Sequence, residues 1–449
     1  MPDVGLLTPG ADVAPGSPAA VTDDVAVLRA MLRAEAAWVR VVVGRGAVDG
    51  SSVAADIDDN DDIDDLVERL AGQDDVALAL ATKVARESAA GGNPVIPLVA
   101  VLREAAGPHL APVVHTGLTS QDVLDTALVL VLRAAARDVV ADLDRAAAAA
   151  ARLAAEHRAR PALGRTLAQA AVPTSLGARF AGWLQGIQAA RTFLAETAEA
   201  LPLAYGGAAG ELSGIARVAE AGQVSTTDHA ADPFVLVEAW GAELGLPVGP
   251  GPWHVTRTPV VRLASALAEV CAALGKVAND VLQAVRPGVD ELREPAEPGR
   301  GASSAMAHKQ NPVLSVLIRR SAISAPHLAA QVLSAAGLAV DERPDGAWHA
   351  EWPALQQLAR HAVASAHAGA ELLGGLQVDA EAVDRNLRAG LPDAGPAPDV
   401  SAAAVVVDRV LAWFATGSFA TGSLAAGSAG GSAGGSSIGS PDLELTEDA

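Results

Sequence analysis

Gly301-Ala302-Ser303-Ser304-Ala305-Met306-Ala307-His308-Lys309-Gln310-Asn311-Pro312 is the stretch whose reading decides the fold. It sets two hydroxyls, an imidazole, an ammonium and an amide among small residues, between apolar helical segments. Pro312 suits the first position of a helix and Asn311 the cap before it, so the run is expected to end at a helix N-terminus. Free backbone N–H groups there favour an anion. The chain has only three lysines, Lys83, Lys276 and Lys309, and arginine carries the rest of the positive charge. A lysine in this loop therefore stands apart from general solvation. On local composition alone the alternative is a surface loop with an asparagine cap.

Outward from this loop, the chain is built for helices. Its 449 residues can bury a large core, half of them are apolar and only 3% are aromatic, with alanine very abundant. Such runs favour helix over sheet. The formal charge of −21 argues against nucleic acid and against anionic membrane surfaces. An anionic substrate would need a local cationic pocket to overcome that field. A single cysteine, Cys271, cannot form an intrachain disulfide and fits a reducing cytoplasm. No secretory signal is expected at the N-terminus, and charges break every apolar run before a membrane-spanning length.

Residues 1–22 are rich in Gly, Pro and Ala and read as a flexible arm. From Val25 to Gly44, the positions Leu28, Met31, Leu32, Val39 and Val42 recur at helical spacing. Glu35 falls on the same face, where a paired or half-exposed carboxylate is favoured over a functional one. The acidic run Asp56–Asp65 reads as a solvated turn leading into a helix, since it lacks the turn glycine of a calcium loop. Long amphipathic helices are expected over about 122–158, 173–200, 256–285, 312–337 and 351–373, which suits a bundle with sites built between its members. A further buried helix is expected near Val405 to Phe414. Residues 417–449 are Gly-Ser-Ala-rich and too poor in large apolar side chains to offset the entropy of ordering.

Three more polar clusters interrupt the helical pattern. The first is His115 to Asp122, just before the longest helix; Asp122 reads as a cap, while Thr119, Ser120 and Gln121 exceed what one cap needs. The second comprises Arg165, Thr166 and Gln169, ahead of Pro173. There Arg165 either pairs with an acidic neighbour or holds a substrate carboxylate. The third is Trp253 to Arg257, with Trp253 read as packing.

The 301–312 loop closely resembles the signature of the fumarase/aspartase superfamily, Gly-Ser-Ser-x-Met-Pro-x-Lys-x-Asn-Pro, with Ala302 and Ala307 as its two departures. The three clusters and the turn Gly206–Gly210 resemble other parts of that superfamily, over about residues 22–375. Leu167 stands where adenylosuccinate lyase-like members carry a histidine. The run Glu342 to Leu355 resembles the 3-carboxy-cis,cis-muconate cycloisomerases, as do His115 with its neighbours and Arg293-Glu294-Pro295. Asp341 departs from the histidine usual before Glu-Arg.

The resemblance implies an all-α, three-domain fold with a long central bundle. Its domains would be 23–114, 115–366 and 367–416, between the arm and the tail. It implies a homotetramer with sites shared between subunits, a small tricarboxylate substrate, and neither metal nor organic cofactor. The implied reaction is cyclisation of 3-carboxy-cis,cis-muconate to 4-carboxymuconolactone. Ser303 would transfer the proton, with Lys309 and Asn311 stabilising charge. His115, Thr119, Ser120, Gln121, Arg165, Thr166, Gln169, Arg257, Met306 and Arg343 would bind substrate. Fumarate-releasing lyases of the superfamily and a non-catalytic structural relative are the alternatives.

Overall fold

The computed structural model describes residues 6–46, 61–221, 232–306, 309–395 and 397–416. The 417–449 tail, the acidic run as far as Asn60 and the Ala307 position lie outside them. Helix α1 (Asp24–Gly44) is followed by α2 (Asp61–Ala71), α3 (Asp74–Glu87) and α4 (Val95–Leu110). The long α5 (Ser120–Glu156) leads into a hairpin of β1 (Pro161–Thr166) and β2 (Gln169–Ser175), and α6 (Leu176–Glu199) returns. After α7 (Ser213–Ala221) and α8 (Phe234–Leu244) come α9 (Thr258–Ala284), β3 (Leu292–Arg293), α10 (Val313–Gly337) and α11 (Gly346–Gly374). The chain closes with β4 (Gln377–Val378), α12 (Ala380–Gly390) and α13 (Ser401–Thr416). The fold is all-α, as the composition implies, and its two small sheets have two strands each.

Helices α5, α6, α9, α10 and α11 pack side by side as the central bundle. Alanine makes the close approach work: Ala135, Ala136, Ala146, Ala147, Ala150 and Ala154 of α5 are all buried. Where even a methyl is too large the chain uses glycine, since a Cβ on Gly275 of α9 would stand 2.4 Å from the Ala322 Cβ of α10. Because α5, α9 and α11 run one way and α6 and α10 the other, the bundle has two distinct ends. The N-termini of α5, α9 and α11 share one end. The hairpin, the β3–β4 pair and the N-terminus of α10 share the other. Helix α5 has 37 residues, so at about 1.5 Å per residue the ends lie roughly 55 Å apart.

Four expectations change. The segment from Pro173, read as helix, belongs to β2, and α6 starts at Leu176, where the Ser175 hydroxyl accepts the Ala178 N–H. Helix α11 begins five residues earlier than the apolar pattern suggests, at Gly346. The described part of the arm is held against the bundle, because Arg320 donates to the Pro9 carbonyl and Gln356 to that of Thr22. Its small residues Ala11 and Ala19 are buried there. The helix expected near Val405 is α13, which packs on α6 and α5 and pairs Asp408 with Arg158.

Arg257 is the fourth change. It lies inside the bundle, with its side chain 1% exposed. Its guanidinium donates to both carboxylate oxygens of Asp125 on α5, at 2.6 and 3.1 Å, and to Glu351 on α11, at 2.6–3.2 Å. Trp348 donates to the same Asp125 carboxylate, and the Trp253 ring stacks 4.8 Å from the guanidinium. Burial alone would lower the Arg257 pKa, but the two carboxylates more than reverse it. Burial raises that of Glu351, with Asp125 adding to the rise against the pull of Arg257. Enclosed by its own carboxylates, Arg257 does not face a substrate, so its role as a carboxylate clamp is withdrawn.

Arg257→Met should leave two buried carboxylates without their cation. We expect a loss of about 3–5 kcal/mol, read as a fall in the urea midpoint at constant slope.

Candidate active site

At the first end of the bundle, the N-terminus of α5 organises the polar loop before it. The Asp122 carboxylate accepts the Thr119 N–H at 2.8 Å and the Gly207 N–H at 3.2 Å. One cap thereby ties the 115–120 loop to the Gly206–Gly210 turn, and Asp122 fills the capping role read from sequence. Gly207 has a positive φ of 69°, which lets the turn present its amide to that carboxylate. Arg343 lies across the turn and donates to the carbonyls of Gly207 and Ala208, at 3.1 and 2.6 Å. His115, Thr119, Ser120 and Arg343 are all partly exposed around this turn. His115 is held by Glu35, with Nδ1 2.6 Å from Oε1. Glu35 is paired, as its place on an apolar helix face suggested, but it is fully buried rather than half-exposed.

Gln121 is a correction. It is buried and donates to Asp125 and to the His254 carbonyl, at 3.1 and 2.9 Å. Like Arg257, it belongs to the interior that fixes the helices, one turn below the open loop. His254 is 2% exposed and its Nε2 stands 2.8 Å from Asp122, without the alignment of a hydrogen bond. Trp253 packs, with its indole N–H on the Leu203 carbonyl.

The second end carries the remaining residues. In the hairpin, Arg165 pairs with Ala170 and Thr166 with Gln169, and Leu167 and Ala168 turn the chain with φ of 48° and 64°. Thr166 and Gln169 are exposed beside Leu167, which is 97% exposed. Of the two roles read for Arg165, the pairing one is realised within the protomer. It grips Glu291 with two hydrogen bonds, at 2.6 and 3.1 Å, and Arg179 and Asn386 donate to the same carboxylate. Burial opposes ionisation of Glu291, but these donors prevail and hold its pKa below the usual carboxylate value.

The 301–312 loop lies at this end too. Its base is clasped by the Gly301 carbonyl, which accepts both the Asn311 N–H and the Asn311 side-chain amide, at 2.9 and 3.1 Å. Gly301 has a φ of 73° and a Cβ there would stand 2.6 Å from the Asn311 carbonyl. Ser303 Oγ accepts the N–H groups of Ala305 and Met306, at 3.3 and 3.2 Å. Lys309 and Met306 are exposed. A cavity of about 430 Å³ opens at the loop base, lined by Arg293, Glu294, Arg300, Gln310, Asn311 and Gln377 among others.

The anion expected at the start of α10 is part of the protein. Glu294 accepts the Leu314 and Ser315 N–H groups, at 3.1 and 2.8 Å, and the Ser315 hydroxyl at 2.6 Å. Accordingly Pro312, not Asn311, is the residue before the helix. Glu291, Glu294 and Arg179 were not singled out as functional from sequence. The Arg293-Glu294-Pro295 run was the one signal pointing near them.

A family description, "Lyase", matches residues 61–325. The chain is 46% identical over 414 residues to a nitrosuccinate lyase of Streptomyces davaonensis, covering 91% of this chain and 80% of that protein. It is 37% identical over 378 residues to a 3-carboxy-cis,cis-muconate cycloisomerase of Bradyrhizobium diazoefficiens, covering 82% and 76%. Among solved structures, the 3-carboxy-cis,cis-muconate lactonizing enzyme from Pseudomonas putida superposes with a TM-score of 0.76 at 28% identity, covering 90% of this chain and 98% of that one. Motif, helical architecture and similarity agree: the chain belongs to the lyase family of the fumarase/aspartase superfamily.

Proposed function

We propose that this lyase eliminates nitrite from nitrosuccinate to leave fumarate, with Ser303 as the base. The observation that carries the chemistry is the Ser303 hydroxyl beneath two backbone N–H groups. A serine is a poor base in water. Donors already aimed at its oxygen stabilise an alkoxide, and they need no reorganisation when the charge appears. The alkoxide takes a methylene proton next to a carboxylate, the double bond forms, and the C–N pair leaves with nitrite. Negative charge grows on that carboxylate, where Lys309 and the loop amides can meet it. Asn311 acts through the Gly301 clasp, which fixes the loop base. The choice of substrate rests on the 46% identity to the nitrosuccinate lyase.

A second reading is supported by Glu342 to Leu355 and by the P. putida likeness. In it, the same serine delivers a proton while a substrate carboxylate closes the lactone of 3-carboxy-cis,cis-muconate. Asp341, in place of the family histidine, weighs against it. Leu167, at the exposed hairpin tip, weighs against an adenylosuccinate lyase-like mechanism.

The two ends of the protomer lie too far apart for His115 and Ser303 to act on one small substrate. We infer that copies of the chain pack with ends interleaved, so that each site takes the 115–120 loop from one copy and the 301–312 loop from another. Closed symmetry produces such sites. The exposed Thr166 and Gln169 would join from the hairpin.

Purified protein given nitrosuccinate should release fumarate and nitrite in equal amounts, and Ser303→Ala should lower kcat by roughly 10²–10⁴-fold with assembly intact. Wild-type turnover of 3-carboxy-cis,cis-muconate without nitrite release from nitrosuccinate would select the second reading. Mixing Ser303→Ala with His115→Ala in equal amounts, with subunit exchange, should restore roughly a quarter of wild-type activity if each site draws on two chains in a closed assembly. No recovery after exchange would refute shared sites.

A further inference from the structure

We propose that Glu35 is a positioning residue for His115: its carboxylate pairs with the ring in its cationic form and accepts from Nδ1–H, so that Nε2–H is the donor offered to an anionic group of the substrate. Glu35 lies on the core face of α1 and is 1% exposed. Its Oε1 is 2.6 Å from His115 Nδ1, while Oε2 has no hydrogen-bond partner among the described residues. A carboxylate buried this deeply is destabilising by several kcal/mol, on the order of the desolvation penalty, unless it is paired. Here a single imidazole supplies the pairing.

The loop itself does not require that carboxylate. Arg103 donates to the Val114 carbonyl at 3.0 Å, and the Trp38 indole donates to that of Thr116 at 2.9 Å. The residues on both sides of His115 are therefore fixed by other side chains. What remains for Glu35 is the ring. His115 also has a φ of 61°, a left-handed conformation costing on the order of 1–3 kcal/mol in a non-glycine residue. In that conformation its side chain meets Glu35 on α1.

A carboxylate can only accept, so Nδ1 is the donor whether the ring is neutral or charged. Nε2 is then the nitrogen turned away from Glu35. It makes no hydrogen bond among the described residues, and the side chain is 15% exposed. It lies in the same loop as Thr119 and Ser120, which is tied through Asp122 to the turn that Arg343 covers. The inference rests on the shared-site reading above. In the elimination, the C–N electron pair leaves with nitrite, the methylene proton goes to Ser303, and Nε2–H donates a hydrogen bond to a departing nitrite oxygen. No further reactant is required.

Glu35→Gln tests this, because glutamine keeps the shape but removes the negative charge that pairs with the cationic ring. We expect kcat to fall roughly 10–100-fold, the scale on which a group orienting a functional histidine acts. KM should stay within about threefold, with unfolding temperature and assembly unchanged. Glu35→Asp should retain more activity than Glu35→Gln. Combined with His115→Gln, the Glu35→Gln change should add nothing to the loss from His115→Gln alone, because both remove one interaction. Wild-type kcat in Glu35→Gln, or losses that multiply in the double variant, would overturn the proposal. So would failure of Glu35→Gln to assemble, since no duty in folding is assigned to the carboxylate. The assay uses nitrosuccinate or 3-carboxy-cis,cis-muconate, whichever the wild type turns over. Turnover of the muconate alone would thus remove the nitrosuccinate reading and leave this test standing.

Discussion

The structure depends on one buried cation. Arg257, at the head of α9, is gripped by Asp125 of α5 and Glu351 of α11, residues 132 and 94 positions away in the chain. Three helices that could slide along smooth alanine-rich faces are thereby fixed in axial register. Alanine ridges pack closely but offer little that is distinctive, so the polar cluster supplies the specificity. A buried ion pair is a weak source of net stability, since desolvation offsets most of the attraction. Its value here is that any other register leaves a carboxylate or a guanidinium buried without a partner.

That register decides which loops share an end. With α5, α9 and α11 aligned, the 115–120 loop, the Gly206–Gly210 turn and Arg343 come together. Arg165, Glu291 and the 301–312 loop are carried to the opposite end by the same helices. The bundle is thus a spacer as much as a scaffold. Long helices give rigid separation, which is the feature the proposed sharing of sites between copies rests on. Against the overall charge of −21, Lys309 of the 301–312 loop is an exposed cation.

Several side chains with the right chemistry for catalysis turn out to serve the frame. Glu294 occupies the N-terminus of α10, where free N–H groups favour an anion, and it anchors the exit of the 301–312 loop there. Glu291 collects Arg165, Arg179 and Asn386, tying the hairpin to β3 and α12. Polar residues that stay at least partly exposed at the two ends include His115, Ser120, Thr166, Gln169, Ser303 and Lys309. Internal carboxylates neutralise the structural arginines, while other donors remain at the surface.

The sequence by itself determined the helical class, because alanine abundance and apolar spacing are local properties of the chain. It also carried the family motif of the 301–312 loop, since the order Ser303, Met306, Lys309, Asn311, Pro312 lies in one short segment. It located the Asp122 cap and marked Glu35 as a carboxylate on an apolar face, either paired or half-exposed; the structure made it paired and buried. Whether an arginine meets a substrate or a neighbour was beyond its reach. Arg165 and Arg257 read alike in sequence, yet their partners Glu291, Asp125 and Glu351 lie 94–132 residues away. Nor could it show that Glu294 caps α10, that Gln121 points inward, or that Pro173 lies in a strand. Those outcomes follow from how five helices pack, and only the tertiary structure sets which distant charges meet, because charge pairing acts through space while sequence patterns act along the chain.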